Sequence, residues 1–178
     1  MNTYKLEVAG LTRELPICPL NDKIDIAAFI MFSDVELTVA TSEALLKKVP
    51  EFDVILTAES KGIPLGYEMA RQSGKKYIVA RKSVKLYMTN PIAVEVKSIT
   101  TAAVQTLYLS EEDAAELKGK RVLIADDVIS TGESLNSLVA LVEKVGGNLV
   151  GKAAVLAEGE AADRDDIIFL EKLPLLFK

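Results

Sequence analysis

The chain has 178 residues, enough for one domain with a sizeable core, and its 49% hydrophobic and 26% charged residues are typical of globular proteins. Its formal net charge of −5 gives no sign of a broad surface that binds nucleic acid. The absence of histidine excludes every catalytic or metal-binding scheme that needs an imidazole. The single cysteine, Cys18, excludes an internal disulfide and a cysteine-rich zinc site.

We expect no export signal at the N-terminus. Its first ten residues, MNTYKLEVAG, mix polar and apolar side chains and lack the apolar stretch of a secretory peptide. No uninterrupted apolar run in the chain approaches the length that crosses a bilayer. We therefore expect a cytoplasmic protein without a membrane partner.

The first half of the chain alternates strands and helices. Polar and apolar residues alternate over 4–8 and 11–17, which predicts a short hairpin. Apolar residues at helical spacing predict a helix within 31–49. An apolar run predicts a core strand over 53–57, and a further helix and strand are expected over 64–72 and 77–80.

The segment 83–106 is long and weakly patterned. Its β-prone residues Val94, Val96, Ile99 and Val104 suggest that part of it pairs as a β-ribbon. Because loops of this length in a compact domain tend to be functional or mobile, we expect it to take part in function.

Strand and helix signals return after this segment. An apolar run over 122–125 predicts a core strand, an amphipathic helix follows, and further strands are expected over 150–157 and 167–170. The apolar tail 173–177 is expected to pack against the rest. The predicted fold is α/β, with a central parallel sheet flanked by helices.

The most informative stretch is 122–134, which reads VLIADDVISTGES. Asp126 and Asp127 follow the predicted strand, at the sheet edge where open α/β sheets bind ligands. The turn 130–134 then leads into a helix whose N-terminus offers free N–H groups and a positive dipole to a phosphate. The two carboxylates accept hydrogen bonds from ribose hydroxyls or hold a divalent cation. An ordinary strand–turn–helix, with Asp, Ser and Thr as caps, is the alternative.

A second strand end has the same form. Glu59, Ser60, Lys61 and Gly62 lie between the predicted strand 53–57 and the next helix. Backbone N–H groups, the Ser60 hydroxyl and the Lys61 ammonium would together bind a diphosphate. A simple helix-capping turn is the alternative.

The stretch VLIADDVISTGES resembles the phosphoribosyl pyrophosphate (PRPP) signature of the type I phosphoribosyltransferases: an apolar strand, two acidic residues, two apolar residues and a Thr-Gly loop. The loop ESKG resembles the pyrophosphate loop of the adenine and xanthine enzymes. The resemblance covers most of 50–157. It implies one domain over 1–178, with a small N-terminal hood over 1–33, a PRPP-binding core over 50–157 and a long mobile loop. A homodimer and Mg²⁺ are also implied.

The resemblance implies a role for each motif. Arg81 and Lys82, with Lys85 nearby, stand where these families carry an Arg-Lys pair that contacts pyrophosphate, and a solvated basic turn is the alternative. The implied sites are Asp126 and Asp127 for catalysis and for Mg²⁺, directly or through water; Ser130, Thr131, Gly132, Glu133 and Ser134 for the 5-phosphate; and Glu59, Ser60, Lys61, Gly62, Arg81, Lys82 and Lys85 for the pyrophosphate.

The implied reaction transfers the phosphoribosyl group of PRPP to a nitrogen of a base and releases pyrophosphate. The anomeric carbon would become oxocarbenium-like while Mg²⁺ bridges diphosphate and ribose oxygens. Cations near the departing diphosphate would stabilise its growing charge. The loop 83–106 would close over the site and limit hydrolysis of PRPP.

The resemblance favours a purine, with adenine ahead of xanthine. Ser130 stands where hypoxanthine–guanine enzymes typically carry an aspartate, which disfavours that class. The segments ESKGIPLGYEMA, IVARK, DDVISTGES and FLEKLPLLF are similar to adenine enzymes, whereas ARKSVKLYMTNP, EVKSITTAAVQ and the Asn21-Asp22 region are similar to xanthine enzymes. Base contacts in these branches come largely from the N-terminal segment, so Leu20 and Asn21 are the base-binding candidates.

One departure concerns proton transfer. Adenine enzymes usually carry a Y-x-x-E-Y pattern in the mobile loop, whose glutamate is a proposed proton carrier. Here the corresponding residues 99–103 read ITTAA, without a glutamate. Either Glu95, the only carboxylate of the loop, replaces it, or deprotonation of the base needs no such group.

Two further readings stay open. A PRPP-sensing regulator without turnover is favoured by the missing glutamate. Such regulators normally add a DNA-binding domain, and the N-terminal residues show no basic helix–turn–helix pattern. Orotate phosphoribosyltransferase is a weaker alternative, because its mobile loop is usually lysine-rich and this one offers only Lys82, Lys85 and Lys97.

Overall fold

Five parallel strands form the centre of the molecule in the computed structural model, which describes residues 2–98 and 103–178. The strands in chain order are β1 (Thr3–Val8), β2 (Leu11–Pro19), β3 (Ile24–Ala27), β4 (Val54–Ala58), β5 (Lys76–Ala80), β6 (Ile92–Lys97), β7 (Val104–Leu109), β8 (Arg121–Ile129), β9 (Asn148–Glu158), β10 (Ile168–Leu173) and β11 (Leu175–Phe177). The helices are α1 (Val35–Leu46), α2 (Ile63–Ser73), α3 (Glu111–Leu117) and α4 (Glu133–Val145), and a 3₁₀ helix spans Gly159–Asp163. None of the helices in the described ranges is long and apolar enough to span a membrane.

The central sheet has the strand order β10-β9-β8-β4-β5, and each neighbouring pair is parallel. This confirms the predicted parallel α/β fold. From β4 the chain moves outward to β5, whereas from β8 it moves to β9 in the opposite direction. The carboxyl ends of β4 and β8 therefore flank the switch point of the sheet, where α/β folds form a ligand crevice.

Two apolar cores cover the faces of this sheet. On one face, Ile55 and Leu123 pack with α1, α2 and the N-terminal strands. On the other, Leu56 and Ile124 pack with α3, α4 and the β6–β7 hairpin. Successive residues of a strand point to opposite faces, so neighbours in sequence belong to different cores. Because protein covers both faces, the strand ends are the places left for a ligand.

A smaller antiparallel sheet joins the two ends of the chain in the order β1-β2-β3-β11. The predicted hairpin is confirmed: β1 and β2 are connected through Ala9 and Gly10, which both have positive φ, as a two-residue type I′ turn requires. The C-terminal strand β11 places Leu175 opposite Ile26 of β3. The expected packing of the apolar tail is confirmed.

The segment after β5 contains more structure than the sequence pattern indicates. Strands β6 and β7 pair as an antiparallel hairpin, which confirms the predicted β-ribbon, and Ile99 lies outside the described residues. Helix α3 was not predicted, because seven residues are too short to show a clear period. Its signal is the cap: the Ser110 side chain accepts a hydrogen bond from the Asp113 N–H.

Strand β8 is longer than predicted. It continues to Ile129 because Val128 and Ile129 pair with Leu156 and Ala157 of β9. Asp126 and Asp127 therefore lie within the last part of the strand and not after its end, which corrects the expectation from sequence. Hydrogen bonding in the strand holds the backbone of both carboxylates.

Candidate active site

The loop after β4 runs over 59–62 and leads directly into α2. Its Glu59–Ser60 peptide bond is cis. Gly62 occupies the N-cap position of α2, and no side chain makes a capping hydrogen bond there. The Ser60 hydroxyl is thus not used as a helix cap. Among the described residues, no side-chain hydrogen bond supports the alternative interpretation of this loop as a capping turn, although the Ile63 N–H donates to the Ser60 backbone carbonyl at 3.2 Å.

The loop after β8 is built in the same way. Gly132 is the N-cap residue of α4, its φ of 82° suits glycine, and no side chain caps the helix. The Thr131 Oγ1 lies 3.5 Å from the Glu133 N, longer than a good hydrogen bond. The first N–H groups of α4 and the nearby hydroxyls are therefore placed to accept an anion.

Asp126 and Asp127 lie between the two loops. The Asp127 N–H donates a hydrogen bond of 2.8 Å to Asp126 Oδ1, and the Lys61 Nζ lies 3.8 Å from Asp127 Oδ2. Burial raises the pKa of Asp126 well above its ordinary value, and the neighbouring charge of Asp127 raises it further. Two adjacent carboxyl groups in a partly buried place favour a cation or a hydroxyl-bearing ligand.

Buried polar atoms without partners mark the same place. Among the described residues, three buried side-chain oxygens have no hydrogen-bond partner: Asp127 Oδ2 and Thr57 Oγ1 lie here, and Ser42 Oγ lies in α1. A Cβ atom on Gly62 would lie 2.5 Å from Thr57 Oγ1 and 2.8 Å from Asp126 Oδ1. Gly62 is therefore required for the close approach of the β4 loop to the end of β8.

Two adjoining cavities connect the loops, a smaller one of about 120 Å³ and a larger one of about 360 Å³. A hollow of about 450 Å³ beside Lys75 and Arg121 is larger but contains none of the predicted residues. Asp126, Val128 and Ser134 line both cavities; Ile129, Ser130, Thr131, Gly132, Glu133 and Leu135 complete the smaller one, and Ala58, Glu59, Ser60, Lys61, Lys82, Gln105 and Asp127 complete the larger one.

The predicted basic residues separate into two groups. Lys82 lines the larger cavity, whereas Arg81 and Lys85 do not. The Arg81 guanidinium donates hydrogen bonds to the Glu59 carboxylate and to the Tyr87 hydroxyl, and the Lys85 Nζ lies 3.7 Å from Glu59 Oε1. The hydrogen bond from Arg81 holds the pKa of Glu59 below its ordinary value. Glu59 therefore holds two of the predicted cations, and its charge offers no direct contact to a diphosphate.

The two base-binding candidates lie outside both cavities. The Asn21 side chain accepts hydrogen bonds from the N–H groups of Lys23 and Ile24, and the backbone carbonyl of Asn21 accepts one from Lys178 Nζ at 3.0 Å. Leu20 is more than half exposed. Base contact by Leu20 and Asn21 stays a prediction.

The structure adds residues that the sequence patterns did not indicate. Gln105 of β7 lines the larger cavity, and the Ser98 hydroxyl donates a hydrogen bond of 2.7 Å to Glu133 Oε1. The β6–β7 hairpin thus contacts both loops. Glu95, the candidate proton carrier, is exposed and lines neither cavity, and the other loop positions 99–102 lie outside the described residues. Arg164 lies beside Gly132, and no local sequence motif predicted this contact.

The model of the phosphoribosyl transferase domain family matches residues 39–173. The chain belongs to this phosphoribosyltransferase family. An adenine phosphoribosyltransferase of Thermotoga maritima is 32% identical over 160 residues, which cover 84% of this chain and 85% of the relative.

Two further proteins are similar to this phosphoribosyltransferase. The crystal structure of adenine phosphoribosyltransferase from Thermoanaerobacter pseudethanolicus superposes with a TM-score of 0.73 at 24% identity, covering 89% of this chain and 95% of that one, and this likeness concerns the fold. The purine biosynthesis transcriptional repressor PurR of Bacillus subtilis is 30% identical over 113 residues, which are 64% of this chain and 39% of the repressor. The predicted type I fold, the phosphoribosyltransferase activity in purine salvage and the similarity to the adenine branch are confirmed.

Proposed function

We propose that this phosphoribosyltransferase transfers the 5-phosphoribosyl group of PRPP to adenine and releases AMP and pyrophosphate. The observation that carries the proposal is the pair of adjoining cavities at the switch point. The uncapped N-terminus of α4 lines the smaller cavity, the loop that leads into α2 lines the larger one, and two carboxylates lie between. Such a pair fits a ligand with a phosphate at each end of a sugar. Relatives named adenine phosphoribosyltransferase support adenine as the base.

Each cavity has the groups for one end of PRPP. In the smaller cavity, the N–H groups at the start of α4 and the hydroxyls of Ser130, Thr131 and Ser134 would hold the 5-phosphate. In the larger cavity, Ser60, Lys61 and Lys82 would hold the diphosphate.

The centre of the site would hold the reacting sugar. Asp126 and Asp127 would accept hydrogen bonds from the ribose hydroxyls. The negative charge of the pair also stabilises positive charge that develops on the anomeric carbon.

Arg81 and Lys85 act from behind the larger cavity. Glu59 neutralises part of their charge while the site is empty of substrate. When a diphosphate leaves, its added negative charge competes with Glu59 for these cations. We therefore assign Glu59 to positioning Arg81 and Lys85, and Gly62 to the close contact with Asp126.

Mg²⁺ fits the residues of this site. Among the residues that the structure describes, no three His, Cys, Asp or Glu side chains are placed to hold a metal ion together. Mg²⁺ commonly uses one or two carboxylates and completes its shell with substrate phosphates and water. The unpartnered Oδ2 of Asp127 and the adjacent Asp126 match that donor set, directly or through water. Bound there with PRPP, Mg²⁺ would offset the charge of the diphosphate.

We also propose a homodimer in the cytoplasm. An apolar hollow of about 250 Å³ is lined by residues that include Phe32, Val35, Val39 and Tyr67, all of them at least one-third exposed. Leu86 and Tyr87, on the loop after β5, are also exposed. Exposed apolar surface of this kind commonly marks an interaction site. Sedimentation of the purified protein across a range of concentrations would test the assembly.

The proposed reaction is tested by pyrophosphate release from PRPP and Mg²⁺ with adenine, xanthine, hypoxanthine, guanine and orotate in parallel. We expect turnover with adenine. Turnover with xanthine alone would replace adenine as the substrate and keep the reaction class. Asp53→Asn, at the opposite end of the sheet, is a suitable control for general damage.

A PRPP-responsive regulator is the second candidate, favoured by the match to the PurR repressor. The two candidates differ in turnover. Binding of PRPP without release of pyrophosphate for any of the five bases would overturn the enzyme and support the regulator.

A further inference from the structure

The smaller cavity has an unusual charge for a phosphate site. Among the described residues, its lining includes two carboxyl side chains, Asp126 and Glu133, and no lysine or arginine. A phosphate monoester near neutral pH carries more than one negative charge. Backbone N–H groups and hydroxyls supply hydrogen bonds, and the α4 dipole supplies partial positive charge near its N-terminus. A full positive charge would have to come from outside the lining.

Arg164 provides that charge from the 3₁₀ segment after β9. Its Nη1 lies 2.8 Å from the point that a Cβ atom on Gly132 would occupy, so the guanidinium packs on the backbone of the β8 loop. Arg164 lies more than thirty residues after Gly132 in sequence and nearly 150 residues after the N-terminal hairpin. The chain nevertheless returns to the β8 loop at this point.

The guanidinium is held in one orientation. Its Nε and Nη2 donate hydrogen bonds of 2.8 and 2.7 Å to the two oxygens of Asp166. Within the described part of the chain, no hydrogen bond uses Nη1, the nitrogen that faces Gly132. A bidentate Arg–carboxylate pair fixes the plane of the guanidinium.

The ion-pair cluster keeps a net positive charge. Asp166 also accepts a hydrogen bond of 2.8 Å from Lys152 Nζ, so two cations share one carboxylate. The neighbouring Asp163 and Asp165 are exposed and make no ion pair with Arg164 among the described contacts. One positive charge of the cluster therefore remains available beside the loop.

We propose that Arg164 is a positioning residue for the 5-phosphate: it packs on Gly132, holds the β8 loop in shape, and places positive charge behind the phosphate. Asp166 anchors it and Lys152 preserves the charge of the cluster. This inference rests on the proposed function, because it assumes that the smaller cavity binds the 5-phosphate of PRPP and AMP. It predicts an effect on ligands with a 5-phosphate and none on pyrophosphate.

The test compares ligands that occupy one cavity or the other. Binding of ribose 5-phosphate, AMP and pyrophosphate with Mg²⁺ is measured by calorimetry for wild type, Arg164→Gln and Arg164→Lys. We expect Arg164→Gln to weaken ribose 5-phosphate and AMP by roughly tenfold, equivalent to ~1.4 kcal/mol. Pyrophosphate affinity should stay within about twofold of wild type, since its cavity is separate. Arg164→Lys should recover part of the loss because it restores the charge.

Kinetics give an independent readout. Contacts to a phosphate that is unchanged by the reaction stabilise ground and transition states alike, so Arg164→Gln should raise the KM for PRPP with kcat nearly unchanged. Arg121→Gln is the matched control: Arg121 also makes a bidentate pair, with Asp53, but at the amino end of β8. It should leave all three affinities unchanged.

Asp166→Asn tests the orientation of Arg164, because it keeps the guanidinium and removes its ionic anchor while the net positive charge of the cluster rises by one. We expect a weaker effect on ribose 5-phosphate, about threefold, with the same selectivity. Equal ribose 5-phosphate affinity in wild type and Arg164→Gln would overturn the inference, as would equal losses for pyrophosphate. If Arg164→Gln fails to fold, selective loss in Arg164→Lys and Asp166→Asn decides in favour, and unchanged binding in both decides against. If wild type binds neither ribose 5-phosphate nor AMP, the proposed function itself fails.

Discussion

The two loops at the switch point share one architecture and differ in charge. Each follows a central strand and opens a helix that no side chain caps. The β4 loop carries Lys61 and is close to Lys82, Arg81 and Lys85, whereas the β8 cavity has no cationic side chain in its lining. In the proposed reaction the diphosphate gains charge and departs, while the 5-phosphate stays the same. Flexible cations suit the changing group, and fixed N–H groups suit the constant one.

Asp126 and Asp127 lie between the two loops, and in the proposed reaction they bind the sugar that joins the two phosphate-bearing ends of the substrate. Changing them should therefore have the largest effect. Asp127→Asn removes a buried negative charge beside the reacting carbon, and we expect kcat/KM to fall by about a hundredfold or more. Steady-state kinetics with PRPP and adenine measure it. Asp53→Asn is the control, since Asp53 binds Arg121 at the far end of the sheet. Wild-type kinetics in Asp127→Asn would remove Asp127 from the site.

A substitution that moves the β4 loop away from the end of β8 should have the next largest effect. In Gly62→Ala the new methyl group meets Thr57 Oγ1 and Asp126 Oδ1, so one loop must move relative to the other. We expect kcat/KM to fall by about tenfold to a hundredfold, and the free energy of unfolding to fall by about 1–3 kcal/mol. Activity assays and denaturant titration measure the two effects.

Gly151→Ala provides the matched comparison for that change. Its Cβ would lie 3.1 Å from Leu123 Cδ1, a side-chain contact in the core and far from the loops. It should cost stability while kcat/KM per folded molecule stays near wild type. An equal loss of activity in both variants would show that Gly62 acts only through stability.

Two single substitutions test directly whether each loop binds a different phosphate-bearing end of the substrate. Lys61→Met should weaken pyrophosphate by roughly tenfold and leave ribose 5-phosphate nearly unchanged, because a hydrogen bond to a charged group contributes about 1.5–3 kcal/mol. Thr131→Val should do the reverse. Calorimetry measures the affinity of both variants for both ligands. Loss of the same ligand in both variants would mean that the loops do not divide the substrate between them.

The smallest expected effect is the pH dependence of the stability that Glu59 gains from its ion pair with Arg81. Arg81 holds the pKa of Glu59 below its ordinary value of 4.5. A group whose pKa is lower in the folded state stabilises the fold fully above its unfolded pKa and loses that contribution as pH falls through the folded value. The Tm difference between wild type and Glu59→Gln should therefore be constant above about pH 5 and shrink at lower pH. A difference that grows on acidification would contradict the assignment.

Local patterns were enough to predict the two loops and the carboxylates that line the cavities. The two strand–loop–helix units were recognisable because a buried strand, a glycine-containing turn and an amphipathic helix are each written in neighbouring residues. The loops after β4 and β8 meet at the cavities as expected. The same reasoning ended β8 too early at Ala125, since Val128 and Ile129 extend the strand only through pairing with β9.

Residues supplied from a distance were the ones that sequence patterns missed. Gln105 reaches the larger cavity because β7 folds back in a hairpin, and Ser98 reaches Glu133 from the same hairpin. Arg164 reaches Gly132 only because β9 lies beside β8 and the 3₁₀ segment turns back over the sheet edge. None of these positions carries a local signal, because each depends on a long-range approach of chain segments.

The sequence by itself determined the parallel α/β fold, the two glycine-containing loops that lead into helices and the carboxylates between them, because buried runs, helical spacing and turn residues act over short distances. The tertiary structure decided which charges face the cavities. The register that pairs Ala58 with Ala80 sets Glu59 beside Arg81, which directs that cation to a carboxylate instead of the cavity. Charge–charge contacts depend on a few ångströms of separation, and only the packed sheet defines those distances.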